Sequence, residues 1–365
     1  MKKMLSLLIV AVLAFTMAAC ASPAAPAGGD AIKVDVFWYT FGDTYLTGVR
    51  TAMENELNGL DNITYTMHDC EEDQATQTQK VETAITQGTD LLIVNIVTTG
   101  SEEAAQNICD LAKANDLPIV FFNREVSDNV INSYENACFV GTDADEAGYM
   151  QGQAAAEFLL LEGNEKYDLN GDGQISYIMF RGEHGNAEAF GRTLYSVTEA
   201  NRLLEESGLV LVPSPANETS TQYDDDGISN YFLYGNWSAA NAAELMRTAL
   251  TANNLDDGSI ELILANNDDQ ALGAIEAMNE EGYNTGVADA GYIPVFGVDA
   301  TAVAMEAITA GKMTGTVLQD GPAMAGCIVG LAKNIAEGKP LADGTEDMNV
   351  DEGVFKIRIP YAIVK

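Results

Sequence analysis

The segment DLNGDGQIS sets Asp168, Asn170 and Asp172 at alternate positions, follows them with Gly173, and then offers Gln174 and Ser176. Alternating oxygen donors ahead of a glycine turn are what a calcium ion with many oxygen ligands requires, and they make up most of an EF-hand loop. The twelfth position, however, is Met179 instead of a bidentate glutamate, and Ile175 onward reads as a strand. A carboxylate must therefore arrive from elsewhere in the chain. Magnesium suits an all-protein oxygen cage less well, and the metal-free alternative is an Asx-turn loop.

A second set of chemically capable residues stands where apolar runs end. Asn123 and Arg124 follow VFF, Asn267 and Asp268 follow LILAN, Asp299 closes VFGVD, and Gln319 and Asp320 close TVLQD. Asp43 and Tyr45 come shortly after the first such run, and Arg192 faces the same side if its helix starts near Asn186. Any one of these amides and carboxylates is equally well explained as a helix N-cap. Their recurrence at one strand end after another points instead to a polar cleft. Trp237, in YGNWSA ahead of a helical segment, offers a flat apolar face of the kind sugar C–H groups pack against, with a core filler as its alternative. A guanidinium such as that of Arg192 can donate to two neighbouring hydroxyl oxygens at once.

The elements that must position these groups alternate regularly. Strand-like runs are expected at Val34–Tyr39, Ile63–His68, Asp90–Ile96, Pro118–Phe122, Ala137–Val140, Ile175–Phe180, Leu209–Val212, Glu261–Ala265, Ile293–Val298, Gly315–Leu318 and Lys356–Ile363. Amphipathic segments such as Gln77–Gln87, Glu102–Ala114, Ala187–Glu206, Ala239–Ala252 and Met324–Ala336 separate them. This alternation predicts an α/β fold whose parallel sheets are flanked by helices, with ligands at the carboxyl ends of the strands.

At 365 residues the chain exceeds one ordinary core, and 47% hydrophobic residues suffice for two. A formal charge of −37 repels phosphate backbones and anionic headgroups, so no nucleic-acid partner is expected. Lys2 and Lys3 precede an apolar run, Leu5 to Met17, that is too short to span a bilayer. It reads as a signal peptide over residues 1–19. Small residues ahead of Cys20 resemble a bacterial lipobox, making Cys20 the lipidation site, and residues 20–31 form a Pro/Gly/Ala tether. The membrane is then reached only through that anchor. Cys70, Cys109, Cys138 and Cys327 remain, with pairing left open.

VFFNRE, FVGTD, DLNGDGQI, ILANNDDQALGA, PVFGVDA and GTVLQD together resemble the periplasmic galactose/glucose-binding proteins of ABC sugar importers, over nearly all of the mature chain. The resemblance implies a ribose-binding-like type with two Rossmann-like lobes and a three-segment hinge, a periplasmic binding protein of type I. It divides the chain into residues 32–142 plus 319–354 and residues 143–318 plus 355–365, with crossings near Thr142, Leu318 and Val354. By position, Asp43, Tyr45, Asn123, Arg192, Trp237, Asn267, Asp299 and Gln319 would line the sugar cleft. Asp168, Asn170, Asp172, Gln174 and Ser176 would hold a structural calcium with Glu261 as the distant carboxylate. Asn186 and Glu188 stand where the family usually has His and Asp, Gln319 stands for Asn, Tyr45 for Phe, and Ser176 for a longer Gln ligand.

The expected function is therefore extracytoplasmic capture of a monosaccharide, glucose or galactose first and xylose, ribose or another pyranose or pentose as the alternative. No catalysis is expected. The implied partners are a membrane permease and, as an open question, a chemoreceptor, with the protein itself a monomer. Rival readings are a glycosidase built on the cleft carboxylates, a transcription regulator of the same two-lobe type, whose basic helix-turn-helix head the export signal and acidic body argue against, and a calcium-stabilised surface scaffold.

Overall fold

The computed structural model describes residues 31–217, 232–253, 255–287 and 291–365. The expected signal segment, Cys20 and the tether as far as residue 30 lie outside the described residues. Two sheets organise the chain. The first holds β1 (Ile32–Trp38), β2 (Ile63–Asp69), β3 (Leu91–Val94), β4 (Ile119–Phe122), β5 (Ala137–Gly141) and β12 (Lys356–Arg358), in the order β12-β5-β4-β3-β1-β2. Every pairing in it is parallel. Its helices are α1 (Thr44–Leu57), α2 (Gln74–Thr86), α3 (Glu102–Ala114), α4 (Asp128–Asn132) and α10 (Gly321–Ala336).

The second sheet holds β6 (Gln174–Arg181), β7 (Val210–Pro213), β9 (Leu262–Ala265), β10 (Val295–Asp299), β11 (Gly315–Gln319) and β13 (Tyr361–Val364), in the order β13-β11-β10-β9-β6-β7, with β8 (Leu233–Tyr234) added to β6. Only β13 runs antiparallel, against β11. Its helices are α5 (Ala144–Leu159), α6 (Ala187–Leu204), α7 (Ala239–Ala252), α8 (Asp268–Glu280) and α9 (Ala302–Thr309).

Parallel strands covered on both faces must be apolar throughout, and LLIV, IVFF, ACFVG and LILA are buried at every position. Successive residues serve opposite faces: Leu91 and Ile93 pack with Trp38 and Phe122, while Leu92 and Val94 pack with Phe37 and Phe121. Cys70, Cys109 and Cys138 are buried and Cys327 half-buried, all as free thiols; burial pushes Cys70 and Cys327 up to about 11.

The chain passes between lobes after β5, after β11, and between β12 and β13. The third crossing departs from the expected one near Val354. Lys356–Arg358 extend the first sheet beside β5, and Ile359 still donates to the Gly141 carbonyl at 2.7 Å. Pro360, with no N–H to continue a ladder, then lets the chain turn into the second sheet. The single strand expected over Lys356–Ile363 is consequently two strands in two lobes.

Helix α6 is placed by unusually close contact with α5. A Cβ on Gly148 would lie 2.3 Å from the Gly191 carbonyl oxygen, and one on Gly152 would lie 2.3 Å from that of Ser196. Glycine at these positions is what lets the backbones meet. Gly152→Ala is expected to destabilise the fold by about 1–3 kcal/mol, read as a lower midpoint in chemical denaturation, because backbone atoms cannot step aside as a flexible side chain would.

Candidate functional site

All ten residues expected in the cleft, from Asp43 to Gln319, line one cavity between the lobes, which also takes in Tyr39, Leu46 and Arg124 and encloses about 430 Å³ including its mouth. For Asp43, Asn186 and Asn267 the capping reading and the cleft reading hold together. Asp43 caps α1 through Leu46 N at 2.8 Å, Asn186 caps α6 through Ala189 N at 3.2 Å, and Asn267 caps α8 through Gln270 N at 3.0 Å. Helix starts at the ends of parallel strands are where a cleft opens, and these three caps also line the cavity. Asp320 caps α10 through Ala323 N and does not line it.

Backbone strain gathers at the same place. Asn123, Trp237 and Asp299 carry φ of 60°, 64° and 121°, values that side chains other than glycine rarely adopt. Strain of this kind persists only where surrounding contacts impose it, and here it aims side chains into the cavity. Asn267 Nδ2 holds the Trp237 carbonyl at 3.1 Å, and Gly182 leaves the indole room, since a Cβ there would sit 2.4 Å from it.

Arg192 forms the floor. Its Nε donates to Glu188 Oε2 at 3.1 Å, Nη1 to the Asn266 carbonyl at 2.8 Å, and Nη2 to Tyr361 Oη at 2.9 Å and Gln319 Oε1 at 3.2 Å. Asp299 Oδ1 lies 3.6 Å from Nη1. With its donors committed in this way, the guanidinium does not present the free two-pronged face expected of it. Glu188 is similarly engaged: Oε1 accepts from Thr142 Oγ1 at 2.8 Å and Oε2 from Tyr361 Oη at 2.8 Å. Gln319 Nε2 donates to Thr142 Oγ1 at 3.1 Å. Thr142, Gln319 and Tyr361 stand at the three crossings, so each hinge strand puts one side chain into a single buried knot around Arg192 and Glu188.

Burial holds the Asp299 carboxyl well above the usual carboxylate range; Arg192 opposes that rise, while Asp268, Asp43 and Asp269 add to it. Burial likewise holds the Tyr361 phenol well above its ordinary value, which keeps its proton available to Glu188. At the rim the lobes touch directly. Arg124 pairs with Glu183, Thr99 Oγ1 reaches Glu183 Oε1 at 3.3 Å, and Thr44 Oγ1 reaches Asp269 Oδ2 at 2.8 Å. Arg124 also lies 4.0 Å above the Tyr39 ring, whose hydroxyl donates to Asp43 Oδ2 at 2.8 Å.

The loop expected to bind calcium lies away from the cleft and turns at Gly171 and Gly173, both left-handed. Asp168 accepts from Asp172 N and Gly173 N, Asn170 from Asp172 N, and Asp172 from Gln174 N. Glu261, 1% exposed, reaches the loop from the start of β9 and accepts from Leu169 N and Ser176 N, both at 2.7 Å. The donor set therefore fits a hard cation in type, all oxygen, and in the arrival of the distant carboxylate. These carboxylates are directed at backbone N–H groups, and no cluster of three or more acidic, His or Cys side chains converges as a metal site among the described residues.

Tyr39, Leu46 and Tyr361 were not among the expected site residues, and Thr142 was expected only as a crossing. Tyr39 sits at the end of an apolar run and Tyr361 within IRIPYAI, so both pass for strand residues; the proline before Tyr361 was the available signal of a crossing.

Residues 34–340 match the periplasmic binding protein domain. The D-galactose/methyl-galactoside binding periplasmic protein of Haemophilus influenzae is 31% identical over 353 residues, covering 97% of this chain and 95% of that one. Among solved structures, an ABC transporter solute binding protein from Bacillus halodurans with bound myo-inositol aligns with a TM-score of 0.68 at 24% identity, covering 93% of this chain and 96% of that one. A carbohydrate transporter solute binding protein from Chloroflexus aurantiacus in complex with D-glucose aligns with 0.69 at 17% identity, covering 92% of each. These two share the two-lobed α/β fold.

Removing the buried cation alone should be costly. Arg192→Met leaves Glu188 and Asp299 uncompensated and is expected to lower stability by about 3–5 kcal/mol in chemical denaturation. Adding Glu188→Gln to that variant is expected to recover part of the loss, because a neutral amide no longer needs the cation.

Proposed function

The chain belongs to the periplasmic binding protein family, and we propose that it is the extracytoplasmic substrate-binding subunit of an ABC sugar importer. It captures a monosaccharide in the cleft between its lobes, D-galactose or D-glucose first, with another pyranose or a pentose such as xylose or ribose as the alternative. The observation that carries this reading is the cavity itself. Two aromatic rings, Tyr45 and Trp237, stand among Asp43, Asn123, Asn267, Asp299 and Gln319, which are acceptors and donors of the kind sugar hydroxyls need around an apolar ring face. The Haemophilus influenzae relative, a D-galactose/methyl-galactoside binding protein, favours galactose within that range.

The protein's role is binding, not catalysis. Glu188, one of the carboxylates a glycosidase reading would use, has both oxygens engaged in the hinge knot. Ligand is passed to a membrane permease, and a chemoreceptor is a further candidate reader of the closed form. The protein acts as a monomer. The N-terminal sequence supports export followed by lipidation at Cys20, which leaves the folded body tethered outside the cytoplasmic membrane.

Calcium is part of the same proposal. Asp168, Asn170, Asp172, Gln174, Ser176 and Glu261 would hold it, and a bound divalent cation supplies a fixed positive charge that ties β6 and β9 to the loop and has no part in chemistry at the cleft.

The mature domain is expected to show a raised unfolding midpoint with one or two of glucose, galactose, xylose, ribose and arabinose, since a ligand that binds only the native state stabilises it by mass action. A folded sample indifferent to all five contradicts the sugar reading. Chelation is expected to lower the midpoint and added calcium to restore it; a midpoint that responds to neither removes the calcium proposal.

A further inference from the structure

We propose that the Tyr45 hydroxyl is a specificity-determining group, bonding a ligand oxygen that is held at the same time by Asp299, so that one ligand hydroxyl bridges the two lobes. This deepens the sugar-binding reading and rests on it.

Tyr45 lies in the first turn of α1, on the lobe opposite Asp299. Its ring passes beside Gly321, where an added Cβ would meet Tyr45 Cε2 at 3.6 Å, an ordinary van der Waals contact. The hydroxyl at the end of this ring is buried and has no hydrogen-bond partner in the protein, although the residue lines the cavity. Asp299, Tyr361, Arg192 and Glu188, all from the other lobe, are the titratable groups that act on it electrostatically. Glu188, Tyr361 and Arg192 are bonded to one another in the hinge knot, whereas Asp299 meets Arg192 only at 3.6 Å.

A phenol buried without a partner is destabilising to the protein that carries it, whereas a phenylalanine of the same shape would fill the space without that cost. The hydroxyl is compensated once a ligand supplies an acceptor. A sugar hydroxyl can accept from Tyr45 and donate to Asp299 together, and an analogue lacking that oxygen leaves both groups unmet. The added phenol oxygen thus turns an aromatic face that would tolerate many rings into one that requires an oxygen at a set position.

The test is Tyr45→Phe in the mature chain, titrated calorimetrically with D-galactose, D-glucose and D-xylose, and with the monodeoxy analogues of the sugar that binds best. Affinity for that sugar is expected to fall by roughly 5- to 100-fold. One deoxy analogue, weak on the parent protein, is expected to bind the variant as well as the full sugar does. The ligand-free unfolding midpoint is expected to stay level or rise. Affinity unchanged within twofold, or a deoxy penalty the variant retains in full, overturns the inference. A lowered ligand-free midpoint also overturns it, because the hydroxyl would then be bonded within the protein. If the parent protein binds none of these sugars, the sugar reading fails on its own, and the midpoint comparison still decides whether the hydroxyl is idle without ligand.

Discussion

A single buried guanidinium holds the cleft floor together. Arg192 is 3% exposed, and a charge so placed is tolerated only if its donors are met. Glu188 on its own helix supplies the counter-charge, and the remaining partners come from Asn266, Gln319 and Tyr361. Gln319 closes β11 and Tyr361 opens β13, so every one of these partners stands on the lobe of the second sheet, and Thr142 joins them where the chain crosses from β5. The knot lies where the chain crosses between the lobes, and Glu188, Arg192 and Gln319 belong both to it and to the cavity lining.

Other features follow from that constraint. Arg192 reaches the floor because α6 starts at Asn186, whose side chain caps it, and because Gly148 and Gly152 let α5 approach α6 closely. At the opposite edge, Arg124 over Tyr39 and against Glu183 joins the lobes at the rim. Pivot and rim are thus both held by charge and hydrogen bonds, which can break and re-form, with the apolar cores kept inside each lobe. This is the division of labour expected of hinge closure, in which rigid bodies rotate about a few connecting residues.

Much of the site was legible in the sequence because parallel α/β sheets present their strand ends to one cleft. Asn123, Asn267, Asp299 and Gln319 each follow or close an apolar run, and a rule about strand ends finds them without knowledge of the topology. Asp43, Asn186 and Asn267 each cap a helix and line the cleft at once, whereas Asp320, also at a strand's carboxyl end, only caps. What stayed hidden depends on tertiary crossing. Thr142 was expected as a crossing and Tyr361 as a strand residue, with nothing local to show that their hydroxyls meet, and Glu188, read as a cleft carboxylate, turns both oxygens to the hinge because Tyr361 arrives from far along the chain. The third crossing moved to Ile359 and Pro360 because strand propensity continues through IRIPYAI while the proline breaks the ladder. The positive φ of Trp237 was equally invisible, since a bulky aromatic residue does not favour it.

The central claim is that the two lobes close on a ligand about this knot. Small-angle X-ray scattering of the mature chain, recorded without ligand and at saturation with the tightest-binding sugar of the panel, tests it most directly. The account predicts a smaller radius of gyration and a shorter maximum dimension with the sugar bound, and a parent-like open profile at all sugar concentrations in a variant whose cleft no longer binds it. Identical profiles with and without sugar, under conditions where calorimetry shows the site filled, would contradict it.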